Sequence, residues 1–449
     1  MCSWPLRAPG FSYADPPLTS PTPSLTPPYQ LAMVIVSRRR LVYLSLEYCQ
    51  PDLFSGSGIA ARAQVRGFAA KNVSVVVICG RPAHTQQPEP ARRNVKVISV
   101  PLDKWGTTDR CASHQQYAEG VARILGDGLG QYDAILAVDW TAANAVRLFL
   151  CHGGTLKVPM IYLSFRVYCS MTGISRDDAR FYREEEAAAV DLALTSGGGV
   201  VALCDMDFET LSTLRTARSH PADKLPHQFA VIPPMLRDEF SNIAKDDEDQ
   251  ILDFPNNRMY LVSLVRLSRD KGPHRFVKLL QNLQQKDPDI WERTGVVPLI
   301  CGSHSQPHYA DRILRELRSA VPHSVVIDKF LTPEELAVVL KNSVLNIHPA
   351  EYEAYGMTII EAAAMGCPTV LNRTGIGATQ LLDPKNKACA AVDVTDEVAF
   401  ANTVRRLLED APRRQQLAHS AFLHATSWTE AEHVRALLAF TQDTIVRNS

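Results

Sequence analysis

An α/β protein of two doubly wound parallel sheets is the fold class this sequence predicts, on three grounds. Short apolar, β-branched runs alternate with helical runs along most of the chain, the pattern of parallel strands joined by crossover helices. Glycines and polar residues cluster where strands end and helices begin, which is where such sheets place their ligands. The 449 residues suffice for two such domains. Hydrophobic content is 46% and charged content 21%, ordinary for a globular protein. With 47 basic and 48 acidic residues the net charge is −1, and no global field favours nucleic acid or an anionic membrane. No apolar run approaches the roughly 18 residues of a membrane span. The 10 cysteines are scattered without a Cys-x-x-Cys pair, so they read as buried free thiols of a reducing compartment, not a disulfide framework or zinc site.

Residues 1–32 are rich in Pro, Ser and Thr and are expected to be disordered. The apolar stretch 31–36 is too short for a secretory signal, Asp15 and the prolines oppose an amphipathic presequence, and Met33 is an alternative start. A cytoplasmic location is expected, or a peripheral one at a membrane. Order begins with a strand at 41–46, a loop carrying Phe54, Gly56, Ser57 and Gly58, a helix over 59–70 and a strand over 74–79. Glycines at a helix start turn backbone N–H groups toward the strand tips, though Gly-x-Gly alone also fits a plain turn. Further strands are expected at 95–100, 134–138 and 160–163, with helices over 117–125 and 141–149. Asp139, at a strand end, either caps the next helix or faces a ligand. Glu184, Glu185 and Glu186 read as a solvated face of an exposed helix, and Gly197, Gly198 and Gly199 as a surface loop. A strand over 200–204 and a helix over 207–214 complete the first domain.

The boundary is expected near Pro233 and Pro234, and the acidic, polar stretch 235–258 reads as a connection. The second domain opens with a strand over 259–265. Arg266 at its tip and Lys271 at the following helix entrance set two cations over one site. At 4 Å and an effective dielectric of about 20, one charge pair is worth roughly 4 kcal/mol before desolvation, enough to hold and stabilise a leaving diphosphate. Strands follow at 296–300, 325–327 and 344–347; Thr332 caps a helix with Pro333 at its first position. The last strand runs into His348, Pro349, Ala350, Glu351, Tyr352, Glu353, Ala354, Tyr355 and Gly356, then a helix over 358–365 closed by Gly366 and Pro368. The N-terminal turn of that helix suits a phosphate, while Glu353 and Glu361 suit the hydroxyls of a ribose and a sugar. Gly375 and Gly377 allow close approach to a bound sugar, and a C-terminal helix is expected to about residue 446.

Glu353, seven residues, then Glu361, with Tyr355-Gly356-Met357 between them and Ala-Ala-Met-Gly-Cys-Pro after them, closely resembles the signature of the retaining family-4 glycosyltransferases of GT-B fold. The resemblance covers roughly 41–446 and is strongest over 259–380. It implies two Rossmann-like domains facing a cleft, 33–234 on the acceptor side and 259–426 on the nucleotide-sugar side, with 427–449 crossing back to the first. It implies a nucleotide-diphospho-sugar donor, transfer of a hexose with retention to an unidentified glycan, lipid or small molecule, and no resident cofactor or metal. Arg266, Lys271 and Glu353 would be catalytic. Gly56, Ser57, Gly58, Asp139, Arg166, Tyr355, Gly356, Met357, Thr358 and Glu361 would bind donor, Glu361 at the ribose and Glu353 at the sugar. The loop before the helix opened by Thr332 would border the base. Asp139-Trp140 resembles the Asp-Trp of starch and glycogen synthases. One departure is plain: members commonly carry a histidine just after the strand at 160–163, where this chain has Phe165 or Arg166. That departure keeps a second reading open, a nucleotide-sugar-binding relative without turnover. A third is an epimerase or a pyridoxal-phosphate phosphorylase on the same fold.

Overall fold

The computed structural model describes residues 39–48, 55–83, 93–103, 110–128, 131–214, 227–252, 258–304, 306–382 and 388–448. The extension expected to be disordered at 1–32, the Met33 start and Phe54 lie outside the described residues. The first sheet comprises β1 (Arg40–Ser45), β2 (Ser74–Pro82), β3 (Val95–Leu102), β4 (Ala134–Val138), β5 (Met160–Ser164), β6 (Gly199–Ala202) and β7 (Phe229–Val231). Its strands are parallel, in the order β3-β2-β1-β4-β5-β6-β7. The helices α1 (Gly56–Ala70), α2 (Arg110–Gly126), α3 (Asp139–Cys151), α4 (Arg176–Thr195) and α5 (Asp205–Leu214) accompany them. Alternate residues explain why both faces must be covered. Val42, Leu44, Ile135 and Tyr162 pack with Tyr117, Val146 and Val190 of α2, α3 and α4. Leu41, Tyr43, Leu136 and Leu163 share the opposite core with Phe68 of α1.

The stretch expected to be a connection instead folds into α6 (Asp238–Asp246) and α7 (Glu248–Leu252), because Phe240, Ala244 and Ile251 are apolar enough to be buried. There follow β8 (Tyr260–Leu264), α8 (Pro273–Lys286), α9 (Ile290–Thr294), β9 (Val297–Cys301), α10 (Pro307–Ala320), β10 (Val325–Ile327) and α11 (Pro333–Lys341). The chain ends with β11 (Ser343–His348), α12 (Met357–Ala364), β12 (Thr369–Asn372), β13 (Ala390–Val392), α13 (Glu397–Glu409), α14 (Ala411–Thr426) and α15 (Glu430–Arg447). The second sheet is parallel in the order β10-β9-β8-β11-β12-β13. Thr332 completes the capping box of α11. Helix α15 returns to the first sheet. There Val434 lies where a Cβ on Gly67 would approach it to 2.3 Å, and Glu430 pairs with Arg66 at 2.5 Å.

Three further expectations are corrected. Gly198 and Gly199 are buried, and a Cβ on Gly198 would meet the Met160 carbonyl at 1.7 Å, so the triple glycine is a close packing point and not a surface loop. Of the three glutamates on α4 only Glu184 is exposed; Glu185 pairs with Arg147, and Glu186 is fully buried, accepting the N–H groups of Tyr168 and Cys169. Cys151 is exposed and Cys169 half-buried, while Cys79, Cys204, Cys301, Cys367 and Cys389 are buried thiols.

Each sheet has one point where strand order reverses, β1/β4 in the first and β8/β11 in the second. Loops leave in opposite directions there and open a crevice at the carboxyl ends of the strands. Asp139 follows β4, Arg266 follows β8, and the run from Pro349 to Gly356 follows β11.

Candidate active site

Lys271 reaches the site because β8 ends in a 3-10 turn, Arg269–Lys271, and Gly272 (φ 64°) then lets Pro273 start α8. The lysine is buried, and its Nζ donates to Glu353 Oε2 at 2.5 Å. His348 Nε2 lies 3.6 Å from the same oxygen. Arg266 is more open and pairs with Asp270 at 3.5 Å. Burial opposes ionisation of Glu353, but the charge of Lys271, with His348 and Arg166 behind it, holds its carboxyl well below the usual range. Burial also lowers the Lys271 amine; Glu353 raises it and the charges of Arg166 and Arg266 lower it again. Arg166 faces the same group from the first sheet. Burial disfavours its charge, yet Tyr168 and Glu353 more than compensate and keep the guanidinium protonated. Lys271 and Arg166 therefore act on one carboxylate, and Arg266 acts on Lys271.

The loop that carries Glu353 is braced from behind. Glu353 N–H donates to Gly375 O at 2.8 Å, and Gly377 N–H donates to Glu353 O at 2.9 Å. A Cβ on Gly377 would meet Ala354 O at 1.9 Å. These glycines thus seat the loop, a role distinct from the sugar approach expected of them. Arg275 of α8 holds Glu351 and the Pro349 carbonyl. At the entrance of α12, Gly356 (φ 87°) replaces a side-chain cap, so the first-turn N–H groups at Met357 and Thr358 keep no capping side chain. Tyr355 is buried and Met357 and Thr358 are half-buried. Glu361, also buried, pairs with Arg237 Nε at 2.7 Å.

On the first sheet, Gly56, Ser57 and Gly58 form the first turn of α1, capped by Ser55 Oγ, which accepts Gly58 N–H at 2.9 Å. Gly56 is exposed, with open space where a Cβ would stand. Asp139 does not cap α3: Val138 takes that position and Asp139 sits at φ 57°. Its carboxylate accepts Phe165 N–H at 2.7 Å and Tyr168 OH at 3.3 Å, and burial pushes it up to about 7. It therefore shapes the loop that presents Arg166. Phe165 is buried, which leaves Arg166 as the charged group of that loop. Among the described residues no cluster of three metal-ligating side chains occurs, and no helix is long and apolar enough to cross a membrane.

The glycosyl transferases group 1 family matches residues 244–423. That match makes this region, less than half of the 449 residues, similar to the glycosyl transferases group 1 domain. A D-inositol 3-phosphate glycosyltransferase of Corynebacterium diphtheriae is 28% identical over 46% of the chain and 49% of that protein. One of Corynebacterium efficiens is 23% identical over 80% of the chain and 83% of its own length. The chain thus spans about half the length of the first of these relatives and most of the other. Among solved structures, sucrose-phosphate synthase from Thermosynechococcus elongatus superposes with a TM-score of 0.70 at 16% identity, covering 90% of this chain and 99% of that one. An α,α-trehalose-phosphate synthase from Burkholderia vietnamiensis gives 0.70 at 14%, over 92% and 99%. The fold is GT-B. Arg266, Lys271, Glu353, Tyr355, Gly356, Met357, Thr358 and Glu361 lie inside the matched region; Gly56, Ser57 and Gly58 follow β1, Asp139 follows β4 and Arg166 follows β5 of the other sheet. Sequence reasoning missed Arg237, Tyr352 and Asp207, whose partners lie far away in the chain, and Asp270, which pairs with nearby Arg266.

Proposed function

We propose that the protein transfers a hexosyl group from a nucleotide-diphospho-sugar to a hydroxyl acceptor with retention of configuration and without a divalent metal. The observation that carries this reading is that Lys271 and Arg166 act on Glu353, with Arg266 acting on Lys271, at the carboxyl ends of two parallel sheets. As the glycosidic bond to the donor breaks, charge grows on the departing diphosphate. The cations and the first turn of α12, which has no side-chain cap, stabilise it without reorganising. With those cations in place, a metal is not required to neutralise the leaving group. Glu353 accepts hydrogen bonds from the sugar hydroxyls and Glu361 from the ribose, each releasing part of its present pairing to do so. The curated relatives act on inositol 3-phosphate, which makes that compound the first acceptor to try.

A second reading, binding without transfer, is favoured by Phe165 or Arg166 standing where the family that the signature resembles commonly carries a histidine. Thermal stabilisation by UDP, GDP, ADP and their sugars, in EDTA, tests both. A ligand at about 100 times its dissociation constant adds about 2.7 kcal/mol. A shift with one nucleotide family, reduced in Lys271→Ala and Glu361→Ala, is expected. A donor that shifts the protein but is neither transferred nor hydrolysed selects the second reading, and no shift with any nucleotide overturns both.

A further inference from the structure

The loop that carries Glu353 meets the first domain through the hydroxyl of Tyr352. Tyr352 Oη accepts Val167 N–H at 3.2 Å and lies 3.2 Å from both Val167 O and Asp207 Oδ1, so its single proton goes to one or the other. Tyr352, Val167 and Asp207 are all buried, and an N–H deprived of this acceptor has no water to turn to. A neighbouring contact repeats the tie, Cys204 Sγ donating to Ala354 O at 3.6 Å. The position in the chain gives the hydroxyl its meaning. Tyr352 directly precedes Glu353, and Val167 directly follows Arg166, so a bond between the former pair fixes the backbone of the latter. Val167 N–H comes from the loop already shaped by Asp139 and Glu186, through Phe165, Tyr168 and Cys169. Tyr352 is the group that registers this loop against the other domain.

We propose that Tyr352 is a positioning residue that sets Arg166 of the first domain in register with the Lys271–Glu353 pair of the second, completing the cation set only when the domains are clamped together. The identity of the ligand rests on the proposed function; the clamp does not.

Nucleotide-diphosphate affinity in wild type, Tyr352→Phe, Arg166→Ala and the double variant reads the coupling, with UDP, GDP and ADP as probes. If the tyrosine acts through the arginine, Arg166→Ala weakens the preferred nucleotide about tenfold and Tyr352→Phe about three- to tenfold. The double variant is then no weaker than Arg166→Ala alone. Losses that multiply assign Tyr352 a general structural role and overturn the proposal. Amide hydrogen exchange over residues 165–169, without ligand, provides the separate check. It is expected to quicken about three- to tenfold in Tyr352→Phe and in the same direction, by less, in Asp207→Ala. Unchanged exchange in both variants overturns the clamp. Quickened exchange in a protein that binds no nucleotide keeps the clamp and removes the donor reading.

Discussion

At Lys271 burial and two guanidiniums favour the neutral amine, while Glu353 favours the ammonium. Burial and its allies prevail, so this lysine gives up its proton more readily than a free one. Only the ammonium attracts a diphosphate. Affinity for nucleotide diphosphates is therefore full where the lysine is protonated and declines as pH rises through its lowered pKa. Glu353→Gln deletes the neighbour that most favours the charge, so the alkaline decline moves to lower pH and affinity on the alkaline side falls. At lower pH the same variant frees the lysine from a competitor and binds as well as wild type or better. Calorimetric titrations from about pH 6 to about pH 9.5 check this; an alkaline limb unmoved by the substitution assigns the titration to another group.

The element that carries the site, β11, its loop and α12, was legible in the sequence because its determinants are local. An apolar run makes the strand, Gly356 supplies the turn, and Gly366 (φ 63°) ends the helix. The ties that hold the element to its surroundings were not legible, since Arg237 is 124 residues from Glu361 and Asp207 is 145 residues from Tyr352. In helix α4 the run of three glutamates hides a signal that the sequence does carry. Tyr182, Glu186, Ala189, Val190 and Ala193 recur at helical spacing, and that stripe points Glu186 inward, whereas three consecutive glutamates cannot share one face. Asp139 shows the opposite limit: no sequence pattern reveals that its backbone will sit at positive φ. For α12 the local reading makes a direct prediction. A Cβ at Gly356 would meet Ile359 Cδ1 at 2.6 Å in a backbone conformation that L residues avoid. Gly356→Ala is expected to lose about 1–3 kcal/mol in thermal or denaturant unfolding and to shift the first turn of α12, lowering nucleotide affinity as well. Wild-type stability and affinity in this variant would mean that the loop adopts another path.

Across the whole molecule, α15 and the buried polar groups of the first half tie the two sheets together. His433 of α15 is sandwiched between Gln64 Nε2 at 2.9 Å and Pro233 O at 2.7 Å, and burial drops its pKa to about 4. The first half also buries three carboxyls; burial pushes Asp139 and Asp207 up to about 7 and Glu186 to about 6. An unfolded chain releases these protons near about pH 4. Between there and the folded pKa the native state holds protons that the unfolded state has lost, so each carboxyl contributes stability that disappears as pH rises through about 6 or 7. His433 acts in the opposite sense, adding stability as pH rises from about 4 to about 6.5, because only the unfolded imidazole takes the proton. Glu430, also raised by burial, adds to the loss and His274, also lowered by burial, to the gain, so four carboxyls against two imidazoles leave a net loss. The thermal midpoint is expected to fall between about pH 5 and about pH 7.5, by a free energy on the order of a few kcal/mol, and to level off above that. Asp139→Asn with Asp207→Asn removes two of the raised carboxyls and flattens the slope while keeping the acceptor oxygens. Calorimetric scans of both proteins across that window decide the matter. A midpoint that rises with pH in the wild type, or a slope the double variant leaves unchanged, would show that these carboxyls are already ionised in the folded protein and that their charges are matched by partners such as Arg166.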